Sequence, residues 1–435
     1  MTAEPRAILS MNAFSGEAGD DPLLARRLAN MGAAAVLFYD RPVEMVSGQG
    51  AWMTDRAGAR YLDFYNNVPS LGHCHPAVVE AVREQIGRLN INSRYLVEVV
   101  DRYIEALKAT LPPELSNVVL SCTGSEANDL ALRLAECWTG KRGFVVTQAA
   151  YHGNTAATTE ISPSAWKKGG GSARIRTVPA PDPAVYGEDL AGGFAKAVAE
   201  AAAELEASGH GFAGMIWDSI FSSDGVHADP EGVLKAAETA IRDAGGLLIA
   251  DEVQPGFART GVMWGFERHG LAPDIVTTGK PMGNGFPMAG TMTRPEILSR
   301  FVEDFGYFNT FGANPVAAAA GLAVVETIKA EGLVARSAAA GARLKGELQA
   351  LAADDPRIAG VRGAGLFLGV ELGRDGAPDG ALVRDVLAGL GRRRVLIGAA
   401  GRFGETLKLR PPLILSDAEA SLFVEALADT LAETP

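Results

Sequence analysis

The stretch GGLLIADEVQPGFARTG, residues 245–261, sets an aliphatic run directly before an Asp-Glu pair and a glycine-rich loop. A run that is apolar at every position predicts a strand covered on both faces of a sheet. Asp251 ends this strand, and an ionised carboxylate in such a place is costly unless a positive group faces it. The stretch therefore predicts a buried sheet with a cationic group at the edge where Asp251 lies.

Similar apolar runs of strand length recur along the chain, with helical patterns between several of them: NVVLSC from Asn117, GFVVT from Gly143, GMIWD from Gly214 and DIVTTG from Asp274. This alternation predicts an α/β fold with a mostly parallel, doubly wound sheet. The clearest helix is EANDLALRLAECW, residues 126–138, where apolar residues repeat at helical spacing and Gly140 follows as a stop.

The length of 435 residues predicts two domains, since one core rarely grows so large. After residue 321 the chain turns to alanine-rich helices and then to strand-like segments, which indicates a smaller α+β domain. We predict that residues 1–70 contribute to this small domain, with GAWMTDRAGARYLDF as a hairpin. Residues 71–325 form the large domain in this prediction, and residues 326–435 form the rest of the small one.

The composition excludes several classes of function. A net charge of −12 and a pI near 5.1 argue against a nucleic-acid-binding face, which is basic. Three cysteines without a CxxC pair predict reduced thiols and no metal site. Residues 1–22 lack a basic segment followed by an apolar one, and no later run reaches membrane-spanning length. We therefore expect a cytoplasmic protein with no membrane and no nucleic-acid partner.

Lys280 is the strongest candidate for covalent chemistry. It follows the aliphatic run DIVTTG and enters a Gly/Pro-rich loop, a setting that desolvates an amine and makes it a Schiff-base nucleophile. The ends of parallel strands meet at one crevice, so Asp251 is expected nearby. The two groups can simply pair. Alternatively, both serve pyridoxal phosphate (PLP), with Lys280 bonded to its aldehyde and Asp251 holding its pyridine nitrogen protonated.

Two further segments lie at expected strand ends. Gly124 and Ser125, between a strand and the helix above, offer backbone N–H groups to a phosphate, although Thr-Gly-Ser before a helix is also ordinary capping. Tyr151 and His152 follow another strand, where packing is the common role and stacking on a flat ring is the alternative. Neither a Walker loop nor a dinucleotide-binding glycine pattern is present in the sequence.

Taken together, these residues resemble the class III, or ω-, aminotransferases of the fold type I PLP family. The resemblance covers nearly the whole chain, through motifs that occur in the family's order: DRAGARYLDF, LGHCHPAVVEAV, TGSEANDLALRLA, AYHGNT, ADEVQPGFARTG, TTGKPMGNGFPMAG, NTFGANPVAAAAGLAV and LRPPLILS. Other stretches, NNVPSLGHCHP, NSRYL and EISPSAWKKG, are similar to a subgroup of alanine:glyoxylate-type aminotransferases and phospho-lyases acting on phosphoethanolamine.

The resemblance implies a large domain with a mostly parallel seven-stranded sheet and a smaller α+β domain. It implies that Lys280 is the Schiff-base lysine and Asp251 the pyridinium partner. The other implied cofactor residues pack on the ring, bond its hydroxyl or hold its phosphate; they are Tyr151, His152, Val253, Gln254, Gly124, Ser125 and, from the second subunit of a homodimer, Thr310.

The implied activity is a ping-pong transfer of an amino group between an amine or amino acid and a 2-oxo acid, through a Schiff base of Lys280. Arg410 matches the arginine that grips the substrate carboxylate, and Trp52, Tyr65 and Arg94 are further pocket candidates. The rival is a PLP-dependent phospho-lyase, and Arg410 favours transamination because some phospho-lyases have Lys there. Asp218 stands where many members have a gating Glu, which argues against dual-substrate gating.

Overall fold

The computed structural model describes residues 13–34, 36–167 and 171–435. Most of the segment on which the absence of an export signal was predicted, residues 1–12, lies outside this part of the chain. None of the helices within the described ranges is long and apolar enough to cross a membrane.

The strands in chain order are β1 Met45–Gln49, β2 Trp52–Asp55, β3 Arg60–Asp63, β4 Asn117–Ser121, β5 Gly143–Thr147, β6 Ile175–Val178, β7 Phe212–Trp217, β8 Leu247–Asp251, β9 Ile275–Thr278, β10 Ala289–Thr293, β11 Ile358–Ala364, β12 Phe367–Arg374, β13 Ala377–Pro378, β14 Val395–Leu396, β15 Gly398–Ala400 and β16 Thr406–Leu409. The α-helices are α1 Pro22–Met31, α2 Pro76–Arg88, α3 Glu98–Lys108, α4 Gly124–Thr139, α5 Ala156–Glu160, α6 Pro183–Tyr186, α7 Leu190–Ala207, α8 Lys235–Asp243, α9 Pro295–Asp304, α10 Pro315–Ala330, α11 Leu333–Asp354, α12 Gly380–Arg392 and α13 Asp417–Glu433.

A seven-stranded sheet in the order β4-β10-β9-β8-β7-β5-β6 forms the centre of the fold. Its strands are parallel except β10, which runs antiparallel to both β4 and β9. The central sheet thus has the predicted mostly parallel α/β architecture with seven strands. The sequence analysis did not identify β6 or β10, and β10 reads AGTMT, where small and hydroxyl residues give no apolar run although every residue is buried.

Both faces of this sheet are covered, which explains why its strands are apolar throughout. Along β7 and β8, Ile216 and Ile249 face a core that includes Leu130 of α4, whereas their neighbours Met215 and Leu248 face a larger core on the opposite side. Successive strand residues point to opposite faces, so each apolar run supplies both cores.

Helix α4 matches the predicted helix closely. Thr123 caps its first turn in a reciprocal arrangement with Glu126, and Gly140 ends it in the left-handed conformation, with φ 70°. These caps fix where the helix begins, directly after β4, and so fix the position of Gly124 and Ser125 at the sheet edge.

The first and last parts of the chain share a second sheet. Strands β2 and β3 form the predicted hairpin, and β14 pairs parallel with β3 to complete the order β1-β2-β3-β14. A third sheet, β11-β12-β16-β15, carries Arg410 just beyond its strand β16. The domain bounds at residues 70 and 325 stay a prediction.

Candidate active site

Asp251 lies at the carboxyl end of β8 and is 4% exposed. Its Oδ2 accepts hydrogen bonds from Asn128 Nδ2 at 2.9 Å and from His152 Nδ1 at 2.7 Å, and its Oδ1 accepts one from the Val253 N–H at 3.0 Å. Three N–H groups thus donate to this one buried carboxylate, as buried polar groups require. Strand β8 therefore ends in a carboxylate that its hydrogen bonds hold in place.

Lys280 follows the neighbouring strand β9, which runs parallel to β8 with Asp251 opposite Thr277. Burial lowers the pKa of Lys280 below its ordinary value, while the charge of Asp251 opposes that shift. No salt bridge joins Lys280 to a carboxylate of the described residues. The alternative that Asp251 and Lys280 simply pair is thus not observed, since His152 and Asn128 occupy Asp251.

Gly124, Gly279 and Val253 approach one another closely beside these two residues. A Cβ placed on Gly124 would lie 3.0 Å from a methyl carbon of Val253, and one placed on Gly279 would lie 3.3 Å from the Gly124 nitrogen. Gly124 and Ser125 are also in the first turn of α4, where backbone N–H groups have no partner within the helix. The first turn of α4 is therefore suited to bind an anion, and the capping by Thr123 accompanies that role rather than excluding it.

Tyr151 and His152 follow β5 on the adjacent part of the sheet edge. Tyr151 is half-buried, and burial raises the pKa of its phenol. His152 is buried and donates to Asp251, because an ionised carboxylate can only accept. The structure thus brings His152 to Asp251 directly, as a support for that carboxylate.

Arg410 is buried at 7% exposure, and its Nη1 donates to Gln254 Oε1 at 3.0 Å. Its guanidinium lies 4.8 Å from the centre of the Tyr65 ring. Gln254 in turn donates to Ser222 Oγ at 2.7 Å. The Nε of Arg410 has no hydrogen-bond partner among the described residues, so Gln254 and Tyr65 orient a guanidinium that keeps unused donors.

Lys408 was not among the residues predicted for the site. It is 4% exposed and lies on β16, two residues before Arg410. Its two neighbours across the sheet are Gly369 and Gly398, which carry no side chain. The sequence pattern that could have identified Lys408 is Lys-x-Arg at the end of an apolar strand.

The charges of Asp218 and Asp224 act on Lys408, but neither carboxylate forms a salt bridge with it. Asp218 accepts from the backbone of Ile220 and Ser222, and Asp224 accepts from Thr147 Oγ1 and the Ala149 N–H. Burial, followed by the charge of Arg410, lowers the pKa of Lys408 well below its ordinary value. Burial raises the pKa of Asp218, and it raises that of Asp224 to about 6.

Three other residues predicted for the site form no hydrogen bond or salt bridge with Asp251, Lys280 or Arg410 in the described part of the chain. The Trp52 indole donates to Glu419 Oε1 at 2.7 Å and lies under the Arg60 guanidinium, so its position is explained by packing against α13. Arg94 is exposed and lies 4.2 Å from the centre of the Phe308 ring. Thr310 is exposed two residues beyond Phe308.

The family model for class-III aminotransferases matches residues 38–431 of this chain. The chain belongs to this family. Among class-III relatives, the alanine–glyoxylate aminotransferase 2-like protein of Drosophila melanogaster is 37% identical over 425 residues, which are 93% of this chain and 86% of the relative. The ethanolamine-phosphate phospho-lyase homolog 1 of Caenorhabditis elegans is 34% identical over 436 residues, covering 94% of this chain and 93% of the relative.

A solved class-III relative is a phospholyase from Arthrobacter in complex with phosphoethanolamine. It is 40% identical and superposes with a TM-score of 0.91 over 95% of this chain and 100% of its own. The relatives thus include both aminotransferases and phospho-lyases, and they establish this class-III chain as an enzyme that depends on PLP.

The residues at the sheet edge fit this cofactor. A hydrogen-bonded carboxylate suits a protonated ring nitrogen, and a half-buried lysine without a salt-bridge partner suits an aldehyde. A glycine-lined helix start suits a phosphate. PLP, when bound, supplies the electron-accepting ring that stabilises a negative charge on the substrate carbon.

Proposed function

We propose that the enzyme is an aminotransferase that moves an amino group between an amine or amino acid and a 2-oxo acid. The observation that carries this proposal is Arg410, a buried guanidinium with unused donors, oriented by Gln254 and Tyr65. A planar fork of N–H donors matches a carboxylate, and its preorganisation reduces the entropy lost when the substrate binds. Arg410 then fixes the substrate carboxylate, and with it the carbon that exchanges a proton.

Lys280 and Asp251 perform the chemistry in this proposal. The Lys280 amine, which burial makes easier to deprotonate, would take up and hold the proton of the substrate carbon. Asp251 would face the ring nitrogen and keep it protonated. Two half-reactions follow one another, the first releasing a keto product and the second consuming a 2-oxo acid.

The remaining cofactor contacts are proposed on the geometry around those two residues. Gly124 and Ser125 would hold the phosphate, with Val253 and Tyr151 on the two faces of the ring. Gln254 would bond the ring hydroxyl with the N–H that Ser222 does not use.

A second candidate is a PLP-dependent phospho-lyase acting on a phosphorylated amine such as phosphoethanolamine. The observation that favours it is Lys408, because a second buried basic side chain near Arg410 offers a phosphate dianion more donors than a carboxylate needs. Both side chains also face the Phe367 ring, with Lys408 Nζ 5.6 Å and the Arg410 guanidinium 5.9 Å from its centre. The phosphoethanolamine-bound Arthrobacter relative supports the same candidate.

One assay of the purified holoenzyme separates the two candidates. Amines and amino acids are each incubated with a set of 2-oxo acids, and phosphoethanolamine is incubated alone, with keto product, amino acid and inorganic phosphate all measured. We expect amino acid formed from a 2-oxo acid and little phosphate released. Stoichiometric phosphate with no amino acid from any 2-oxo acid would replace the first candidate by the second.

The matched variants Arg410→Met and Lys408→Met test the substrate grip. We expect Arg410→Met to raise KM for 2-oxo acids about tenfold to a hundredfold, since a buried charge-assisted contact is lost, and to spare amines that lack a carboxylate. Lys408→Met should change those KM values less than about threefold, because a carboxylate needs one guanidinium fork. Steady-state kinetics of each variant, with cofactor content checked first, measure both effects.

The opposite ranking would count against Arg410 as the carboxylate grip. If Lys408→Met raised KM for 2-oxo acids more than Arg410→Met, the carboxylate would bind at Lys408. If both variants lost only phosphate release, the site would be a phosphate site and the second candidate would hold.

We also propose a homodimer in which Thr310 reaches the partner's cofactor. Thr310 lies between Phe308 and Phe311, which are 45% and 70% exposed, and Leu96 near Arg94 is 98% exposed. Large apolar side chains clustered at a surface favour burial against another protein. In such a dimer Arg94, which lies against the Phe308 ring, would join the site of the partner.

We propose that the protein is cytoplasmic. The support is that its three cysteines, Cys74, Cys122 and Cys137, are free thiols. Some relatives are named as mitochondrial proteins.

A further inference from the structure

Asn128 connects three parts of the site and had no role in the sequence analysis. It lies in the second turn of α4 with 1% of its surface exposed. Its Nδ2 donates to Asp251 Oδ2 at 2.9 Å and to the His152 carbonyl at 2.8 Å, and its Oδ1 accepts from Thr277 Oγ1 at 2.5 Å. One amide thus bonds the end of β8, the segment after β5 and strand β9.

The orientation of this amide is determined by its partners. If the amide were turned over, Oδ1 would face two acceptors, the Asp251 carboxylate and the His152 carbonyl, and both would lose a donor. The Thr277 hydroxyl, buried with 0% exposure, supplies the proton that Oδ1 needs. Thr277 therefore holds Asn128 with its N–H groups toward Asp251.

The electrostatic consequence falls on Asp251. Its Oδ2 receives N–H donors from Asn128 and His152, and the charges of Lys280 and Asp218 also act in this cleft. These N–H groups bond the charged form of the carboxylate, which can only accept. A cation such as a protonated ring nitrogen would then find a preformed acceptor in Asp251.

We propose that Asn128 is a positioning residue that keeps Asp251 ionised and so keeps the cofactor's ring nitrogen protonated. The inference rests on the proposed role of Asp251. Without the Asn128 amide, His152 alone would donate to Oδ2, and the proton would move from the ring nitrogen toward the carboxylate.

The test is the protonation of the ring nitrogen itself, read from the ¹⁵N chemical shift of holoenzyme reconstituted with ring-¹⁵N-labelled PLP over a pH series. We expect Asn128→Leu, which keeps the volume but removes both N–H groups, to lower the pH at which the nitrogen loses its proton by about one unit or more, a tenfold loss of proton affinity. Thr277→Val, which leaves the amide but removes the group that orients it, should shift the titration in the same direction by less. Asp129→Asn, one residue along the same helix and bonded to Thr155, should leave it unchanged.

The outcomes distinguish this inference from the role of Asp251. If Asp251→Asn shifts the nitrogen titration but Asn128→Leu and Thr277→Val do not, Asn128 has no such role while that of Asp251 stands. If Asp251→Asn itself leaves the nitrogen protonated over the same pH range, the role of Asp251 is wrong and the inference is wrong with it. Should Asn128→Leu fail to fold, as judged by circular dichroism, Thr277→Val alone decides by the same criterion.

Discussion

Replacing Lys280 by alanine should reduce turnover at least about a thousandfold, because the variant loses both the covalent attachment of the cofactor and the amine that moves the proton. The amine of Lys280 is prepared for this role by burial and by its place after β9, beside Asp251. Single-turnover and steady-state rates on the substrate identified by the assay above measure the loss.

The matched control for this variant is Lys408→Met. Lys408 is a second lysine whose charge interacts with that of Lys280, so removing it takes away an amine from the same cleft but leaves Lys280 in place. We expect Lys408→Met to keep the visible absorption of the bound cofactor and Lys280→Ala to lose it. A Lys280→Ala enzyme with the absorption and the turnover of the wild type would remove Lys280 from the mechanism.

Asp251→Asn should lower turnover by a factor on the order of a hundred or more, with a small effect on the fold. The substitution replaces a charge-assisted hydrogen bond, worth about 1.5–3 kcal/mol, by a neutral one, and the unprotonated ring stabilises negative charge on the substrate carbon poorly. It also leaves the His152 Nδ1–H and the Asn128 amide with a weaker acceptor.

Asp251→Glu is the informative control, because it keeps the charge and displaces it by one methylene. We expect it to recover part of the rate that Asn loses. If Asp251→Asn turned over at nearly the wild-type rate, Asp251 would serve only to anchor His152 and Asn128.

The sequence predicted those parts of the fold in which one local pattern suffices. Strands such as β8 are apolar at every position because both faces of the sheet are buried, and α4 shows helical spacing between a cap at Thr123 and a stop at Gly140. Strand β10 was not predicted because its burial comes from its place between β4 and β9, which no short window of the chain expresses.

The candidate site likewise contains residues that a local pattern predicts and residues that only the tertiary structure brings together. Lys280 and Asp251 end apolar strands, so their position could be inferred from neighbouring residues, as could their meeting at one sheet edge. Asn128 could not, because its three partners lie 24, 123 and 149 residues away and its place on a helix gives no sign of them. Lys408 could not either, because its burial depends on the pairing of β16 with both β12 and β15.

Trp52 was predicted as a pocket residue, but the sequence alone could not decide between a pocket and a packing role. An aromatic residue near the start of a small sheet suits a pocket wall or a core equally well. The structure places its indole between Arg60 and Glu419, which only tertiary contacts could decide.

Covalent binding of PLP through Lys280 is tested most directly by peptide mapping. Wild-type holoenzyme is treated with borohydride, which fixes the cofactor to the lysine that carries it, and is then digested and analysed by mass spectrometry. We expect the added mass of the reduced cofactor on the peptide containing Lys280, at about one per chain, and none on the peptide containing Lys408. Cofactor fixed at Lys408, or cofactor retained without any modified lysine, would contradict it.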